Sequence, residues 1–471
     1  MFLSDEKGLT RREFLIGAGA AAASLPFMNI GSALGAQKRP NFVFILTDDQ
    51  RYDAMSCAGH PFLYTPNMDR IAKEGARFTN AFVTTSLCSP SRASFLTGRY
   101  AHSHGVRDNS TPFDDGIPTF PRLLQEAGYD TAFIGKWHMG SQEGPRPGFN
   151  RWVSFKGQGD YYNPTLNIDG ETGQVAGYIT DLLTKHAVDW LRQPRESPLC
   201  LYLSHKAVHQ PWSPAVRHSK LFADTPIPRA KSFYDTLEGK PKWVRELGLG
   251  PPDVANYEEF ARNYCRTLVA VDEGVGRVLS TLESLGVLDN TVVVFAGDNG
   301  YLHREHSGMG DKRVMYEESI RIPLVMRYPK LVRSGTLVDR MVLNIDMCPT
   351  FLDIAGVRAA DGVQGRSMVP LLRGRSAGWR EDFLYAYDFE PPYKKKPANR
   401  GVRTDRWKYT EYPELDDICE LYDLKNDPFE MHNLGQDPKH AGVLADMRAR
   451  FERLVKETGY KPREVPSIPA G

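Results

Sequence analysis

Charge of one sign is what this 471-residue chain has least of. Lys and Arg number 59 against 58 Asp and Glu, a formal net charge of +1. A nucleic-acid partner usually needs a basic face, so this balance gives no support for one. Cysteine is scarce: six residues, at positions 57, 88, 200, 265, 348 and 419. None belongs to a Cys-x-x-Cys zinc pair, and such scattered spacing argues weakly for a disulfide framework. Beyond the first thirty residues no apolar run reaches the about 20 residues that a bilayer span needs, which excludes a polytopic membrane protein. Internal repeats and low-complexity tracts are also missing. What remains, 41% hydrophobic and 25% charged residues, is the mixture of an ordinary globular protein.

The first 36 residues read as a leader. Thr10-Arg11-Arg12-Glu13-Phe14-Leu15 puts an arginine pair directly ahead of a short, Ala- and Gly-rich apolar run. The run is too short and too weakly hydrophobic to span a bilayer and suits the core of a cleaved signal. The arginine pair resembles the twin-arginine (Tat) export signal, and small residues at Ala33, Gly35 and Ala36 suit a peptidase. The resemblance implies the Tat export machinery as a partner and a periplasmic or extracellular location.

Continuous apolar runs at 41–46, 130–134, 199–203, 291–296 and 323–326 predict buried strands. Amphipathic stretches at 67–76, 120–127, 178–192, 258–285 and 345–355 predict helices between them. That alternation predicts an α/β fold, a large doubly wound and mostly parallel sheet with helices on both faces. The Pro-rich stretch 210–252 reads as a long surface excursion. Catalytic residues are expected within 37–375. A small C-terminal α+β subdomain is expected over 376–471, with Tyr-rich strands at 383–387, 407–411 and 420–424 and a helix at 441–457.

In doubly wound sheets ligands gather at the carboxyl ends of strands. The strand at 41–46 runs into Asp48-Asp49, and that at 291–296 into Asp298-Asn299. Three carboxylates and an amide oxygen form a hard donor set of the kind Ca²⁺ or Mg²⁺ prefers. The densest motif is Leu87-Cys88-Ser89-Pro90-Ser91-Arg92-Ala93-Ser94-Phe95-Leu96-Thr97-Gly98-Arg99. A helix starting at Ser91 puts Cys88 just before its N-terminus, where amide groups and the helix dipole favour anions, and Arg92 can fold back to the same point. Further polar groups follow predicted strands: Gly135-Lys136-Trp137-His138, Ser204-His205-Lys206-Ala207-Val208-His209, and Gly310-Asp311-Lys312-Arg313.

Cys88-Ser89-Pro90-Ser91-Arg92 followed by Thr97-Gly98-Arg99 resembles the signature of the formylglycine-dependent sulfatases of the alkaline phosphatase superfamily. The likeness runs on through 41–99, 136–138, 205–212, 298–323 and 420–434. It implies that a maturation enzyme converts Cys88 to formylglycine, whose hydrated aldehyde is the nucleophile. It implies a calcium ion on Asp48, Asp49, Asp298, Asn299 and an oxygen of the converted Cys88, magnesium being open on ligand type alone. Arg92, Lys136, His138, His209 and Lys312 correspond to residues that hold the sulfate and move protons. His209 or Lys312 would protonate the departing alcohol, and His138 would act as base.

Residues 301–323 most resemble sulfatases acting on sulfated carbohydrates, including N-acetylglucosamine-6-sulfatases. His303, Arg304 and His306 are the expected sugar contacts, with Tyr161, Tyr162 and Trp212 as a candidate aromatic platform. The alternatives are an aryl or choline sulfatase, a phosphodiester or phosphonate hydrolase on the same fold, and a calcium-dependent sulfoglycan binder without catalysis.

Overall fold

The computed structural model describes residues 39–247, 253–390 and 396–463; the expected leader lies outside them. Ten strands make the main sheet: β1 Asn41–Thr47, β2 Ala76–Phe78, β3 Asp130–Lys136, β4 Arg151–Phe155, β5 Thr165–Ile168, β6 Glu171–Gln174, β7 Leu199–Ser204, β8 Thr291–Gly297, β9 Leu324–Arg327 and β10 Thr336–Val338. Their order is β10-β2-β9-β8-β1-β7-β3-β4-β5-β6. The centre, β8-β1-β7-β3-β4, is parallel throughout. β9 runs antiparallel to β8, and the β5-β6 hairpin closes the other side. The strands that the apolar runs predict are β1, β3, β7, β8 and β9; β4, reading RWVSF, is not among them. Short or polar flanking strands give no comparable run.

Both faces of the central strands are covered, which explains their unbroken hydrophobicity. Val43 and Ile45 of β1 face one core, together with Leu201, Leu203, Val293 and Phe295. Helices α1 Pro66–Lys73, α4 Ile179–Leu191 and α5 Val254–Ser284 cover that side. Phe42, Phe44 and Leu46 face the other core with Phe133 and Tyr202. Its cover is α2 Cys88–Thr97, α3 Phe120–Glu126 and α6 Met347–Ala355. Phe351 of α6 lies 5.3, 5.7 and 5.0 Å, ring to ring, from Phe42, Phe44 and Phe120. Truncating such a ring to alanine costs about 3–5 kcal/mol.

A separate antiparallel sheet of four strands, β11 Asp382–Tyr387, β12 Asn399–Thr404, β13 Trp407–Glu411 and β14 Glu420–Asp423, carries helix α7 Ala441–Thr458. Its Phe383, Tyr385, Val402 and Leu421 share a core with Phe82, Leu87 and Ile345. β12, reading NRGVRT, is too polar to stand out in the sequence.

The stretch expected to be a surface excursion is partly anchored instead. Phe233, Lys240 and Val244 are buried, and the Lys240 ammonium donates to Tyr422 Oη at 2.8 Å and to Glu430 O. A buried ammonium needs such acceptors, and they come from nearly two hundred residues away, beyond the reach of local pattern.

Candidate active site

The site is built first by backbone register. β1 and β8 are neighbours with Thr47 opposite Gly297, so their following residues emerge side by side. The amide of Asp298 donates to Thr47 O at 2.8 Å, and that of Asp49 to Asp298 Oδ1 at 3.0 Å. Asp49 has a left-handed backbone, φ 59°. Tyr264 of α5 steadies it, donating to Asp49 O at 3.0 Å while accepting from Arg51 N at 2.9 Å.

Helix α2 begins at Cys88 itself, one turn ahead of the expected start, with Pro90 where a first turn tolerates a missing N–H. Cys88 is fully buried. Its Sγ lies 3.5 Å from Asp48 Oδ1, 3.0 Å from Lys312 Nζ and 4.0 Å from Lys136 Nζ. Arg92, one turn along α2, donates to Asp298 Oδ2 at 2.9 Å, Asp48 Oδ2 at 3.2 Å, Lys136 O at 2.7 Å and Ser204 Oγ at 2.7 Å. Its guanidinium is thus committed to the protein and holds two carboxylates in place. Gly135 makes this junction possible: it has φ 126°, and a Cβ there would lie 1.7 Å from Ser204 O.

Lys136 ends β3 and donates to Asp48 Oδ2 and Gln158 Oε1. Gln158 also lies 3.2 Å from His138 Nε2, while His138 Nδ1 has no partner. Ser89 of α2 donates to His138 O. His209 follows β7; its Nδ1 is 2.9 Å from Gln210 O, and its Nε2 is 3.8 Å from Asp49 Oδ2. A carbonyl only accepts, so Nδ1 carries the hydrogen and the neutral ring turns its Nε2 lone pair to the site. Lys312 donates to Asp49 Oδ1.

Three buried carboxylates therefore face three cations, Arg92, Lys136 and Lys312. Burial opposes the charge on Asp48, but the cations Lys136, Arg92 and Lys312 hold its pKa well below the usual range. Burial pushes Asp49 up to about 7 against Lys312, with Asp48 and Asp298 adding to the rise. Burial and the Asp48 charge raise Asp298 despite Arg92. The Cys88 thiol is pushed up to about 12 by burial and Asp48. Burial and nearby Lys136 hold both His138 and His209 well below the usual imidazole range. Burial works against Lys312, yet Asp49 and the neighbouring acids keep it well above an ordinary lysine.

The donor set fits a hard divalent cation. One oxygen from each of Asp48, Asp49 and Asp298 lies within 4.8 Å of the others. Asp49 Oδ2 and Asn299 Oδ1 are buried acceptors without a hydrogen-bond partner. Buried unpaired oxygens are costly, and a cation would satisfy both.

The three residues expected to touch sugar are not grouped. Arg304 is exposed and lines a cavity of about 390 Å³ with Gln210, Trp212, Phe260 and Tyr301. His303 instead packs edge-on against Tyr264 and Phe260 at 4.4 and 4.8 Å. His306 is fully buried, stacked on Tyr316 at 4.1 Å, with Nδ1 2.8 Å from Asp235 Oδ2. Tyr161 is no surface platform either: it is buried and donates to His209 O at 2.6 Å. Tyr162 is exposed and donates to Pro214 O. Sequence reading misses Gln158 and Tyr264, uncharged residues that brace the charged ones and carry no local signature, and it gives Ser204 no role of its own.

The family profile described as Sulfatase matches residues 40–357, and one described as N-sulphoglucosamine sulphohydrolase, C-terminal, matches 305–457. The N-acetylglucosamine-6-O-sulfatase of Bacteroides thetaiotaomicron is 36% identical, covering 91% of this chain and 88% of its own. The human N-acetylglucosamine-6-sulfatase is 30% identical, covering 90% and 88%. A solved structure of a protein in complex with its substrate, D-glucosamine-2-N,6-O-disulfate, superposes with a TM-score of 0.85 at 35% identity, covering 91% of this chain and all of that one.

Proposed function

Because the chain belongs to the sulfatase family, we propose that it is exported by the twin-arginine route and cleaves a sulfate ester on a glucosamine-type sugar. In this reading Cys88 is matured to formylglycine, and calcium is held by Asp48, Asp49, Asp298 and Asn299. The observation that carries it is the position of Cys88. Its sulfur stands at the start of a helix between Lys312 and Asp48, whose neighbours Asp49 and Asn299 each carry a buried oxygen that lacks a donor. The relatives named for N-acetylglucosamine-6-sulfate and the disulfated glucosamine complex support the sugar. Arg11-Arg12 ahead of an apolar run supports export.

When bound, the cation and the hydrated aldehyde supply an acidified oxygen nucleophile and spread the charge of the sulfate. Arg92 fixes the Asp48 and Asp298 carboxylates, so these ligands cost no reorganisation. Lys136 and Lys312 flank Cys88 and meet the sulfate oxygens with positive charge. Of the two candidates for protonating the departing sugar hydroxyl, Lys312 is the one kept protonated; His209 is held neutral. His138, neutral and with Nδ1 unpartnered, is poised to accept a proton.

The test is sulfate release by protein coexpressed with a maturation enzyme. N-acetylglucosamine-6-sulfate, an aryl sulfate, choline sulfate, and aryl phosphate and phosphonate esters are compared, with peptide mass analysis over Cys88. The sugar sulfate should give the highest kcat/KM, chelation should abolish turnover, and calcium should restore it. Preferred turnover of a phosphonate, or full activity with an unconverted thiol, would sink the proposal.

A further inference from the structure

Lys312 is held by a part of the chain that lies outside the main sheet. It stands between two residues of left-handed backbone, Asp311 (φ 71°) and Arg313 (φ 79°). Residues with side chains persist in that conformation only where their surroundings over-determine it. Here the surroundings come from the start of β12 and the residues just before it. Lys396, 3% exposed, donates to Gly310 O at 2.8 Å and to Lys312 O at 2.7 Å. Asn399, the first residue of β12, donates to Arg313 O at 2.8 Å. On the other side, Arg313 N donates at 3.1 Å to Ser86 O, two residues before Cys88.

Three carbonyls within four consecutive residues are thus taken up by two side chains from 396–399. An ammonium is an expensive way to do this. Burial lowers the pKa of Lys396 to about 8, with Asp311 acting against the fall. A cation nevertheless makes both bonds charge-assisted, stronger and shorter than neutral ones. Lys396 also has Arg313 and Lys312 for charged neighbours beside Asp311, so it is a brace set among charges of both signs.

We infer that Lys396, seconded by Asn399, is a positioning residue for Lys312. It fixes the backbone from which the Lys312 ammonium reaches Cys88, and the C-terminal sheet is in this way a structural part of the active site. The kinetic side of this inference rests on the sulfatase reading above; its structural side does not.

The decisive variant is Lys396→Met, which keeps length and apolar bulk but removes the donors. Amide hydrogen exchange over residues 309–316 should quicken by about tenfold or more, while β1 stays protected. Unchanged exchange there overturns the brace, whatever the substrate. In the matured enzyme kcat should fall by about tenfold with KM changed by less than about threefold. In a Lys312→Ala background the same substitution should cost less than about twofold, since its effect passes through Lys312. An equal loss in both backgrounds overturns the inference. Should Lys396→Met fail to fold, Asn399→Ala, which removes one bond, takes its place in both measurements with a smaller change of the same sign. If exchange quickens but the wild-type protein turns over no sulfate ester, the functional reading fails and the brace stands.

Discussion

The tips of β1 and β8 and the segment from Tyr301 to Arg313 both feed the active site, but they are held in place differently. At the strand tips, the register Thr47–Gly297 brings Asp48 and Asp298 side by side through the backbone, and Arg92 then fixes their carboxylates. The later segment is shaped by side chains from elsewhere: Glu305 by Arg51, His306 by Asp235, and the carbonyls around Lys312 by Lys396 and Asn399. The first region is fixed by the fold's most cooperative element. The second depends on individual distant contacts, so single substitutions far from the chemistry should disturb it.

The largest expected effects lie where the backbone does the positioning. Cys88→Ala should lower sulfate release by at least about 10⁴-fold, as loss of a nucleophile does, with the far-UV and near-UV circular dichroism unchanged. Asp298→Asn keeps the shape and leaves Arg92 its Asp48 contact, so the protein should still fold while kcat falls by about 10³-fold. Measured activity within tenfold of wild type for either variant would mean that the strand tips are not the reacting centre.

This contrast also explains which residues the sequence reveals. A continuous apolar run that ends abruptly in acidic residues announces both a buried strand and the polar tip beyond it, so the pattern alone locates Asp48, Asp49, Asp298 and Asn299. Cys88 is legible from its motif, although α2 starts a turn earlier than the motif's polar residues suggest. Inward and outward histidines, by contrast, look alike in sequence. His303, Arg304 and His306 are close together along the chain, yet three left-handed residues, Arg304, His306 and Ser307, send their side chains in unrelated directions. No periodicity of two or 3.6 survives such a path. The buried Lys240 and the strand β12 stay hidden for a related reason: what makes them internal is a partner far away in the chain, Tyr422 and Glu430 for the one, the neighbouring strands of the small sheet for the other.

Arg304 and His306 sharpen the comparison within the second region. Arg304→Ala removes an exposed cation from the cavity wall and should raise KM for a sulfated sugar by about three- to tenfold while leaving kcat and the melting temperature near wild type. His306→Ala should act on stability instead. It leaves a void against Tyr316 and takes a partner from buried Asp235, a loss of about 2 kcal/mol in urea unfolding with KM unchanged once the protein is folded. An exchange of these two phenotypes would show that His306, rather than Arg304, faces the sugar.

The smallest effect concerns His205, at the tip of β7. It is fully buried with neither ring nitrogen hydrogen-bonded, and burial lowers its pKa to about 4. Between its ordinary value of 6.5 and about 4 the unfolded chain binds a proton at this position and the folded chain does not. The neutral ring's contribution is therefore intact above pH 6.5 and is lost progressively as the pH falls toward 4, by about 1.4 kcal/mol per pH unit well inside that window. His205→Phe keeps a buried ring and removes the titration. The drop in unfolding free energy between pH 7.5 and pH 5.5 should then be smaller in the variant than in the wild type by about 1 kcal/mol. His60, His104 and His306, whose pKa values burial also lowers to about 4, 3 and 4, destabilise both proteins alike in acid, so the difference between the two drops isolates His205. Identical drops would mean that water reaches this ring, and that the strand tips are less tightly sealed than the backbone register implies.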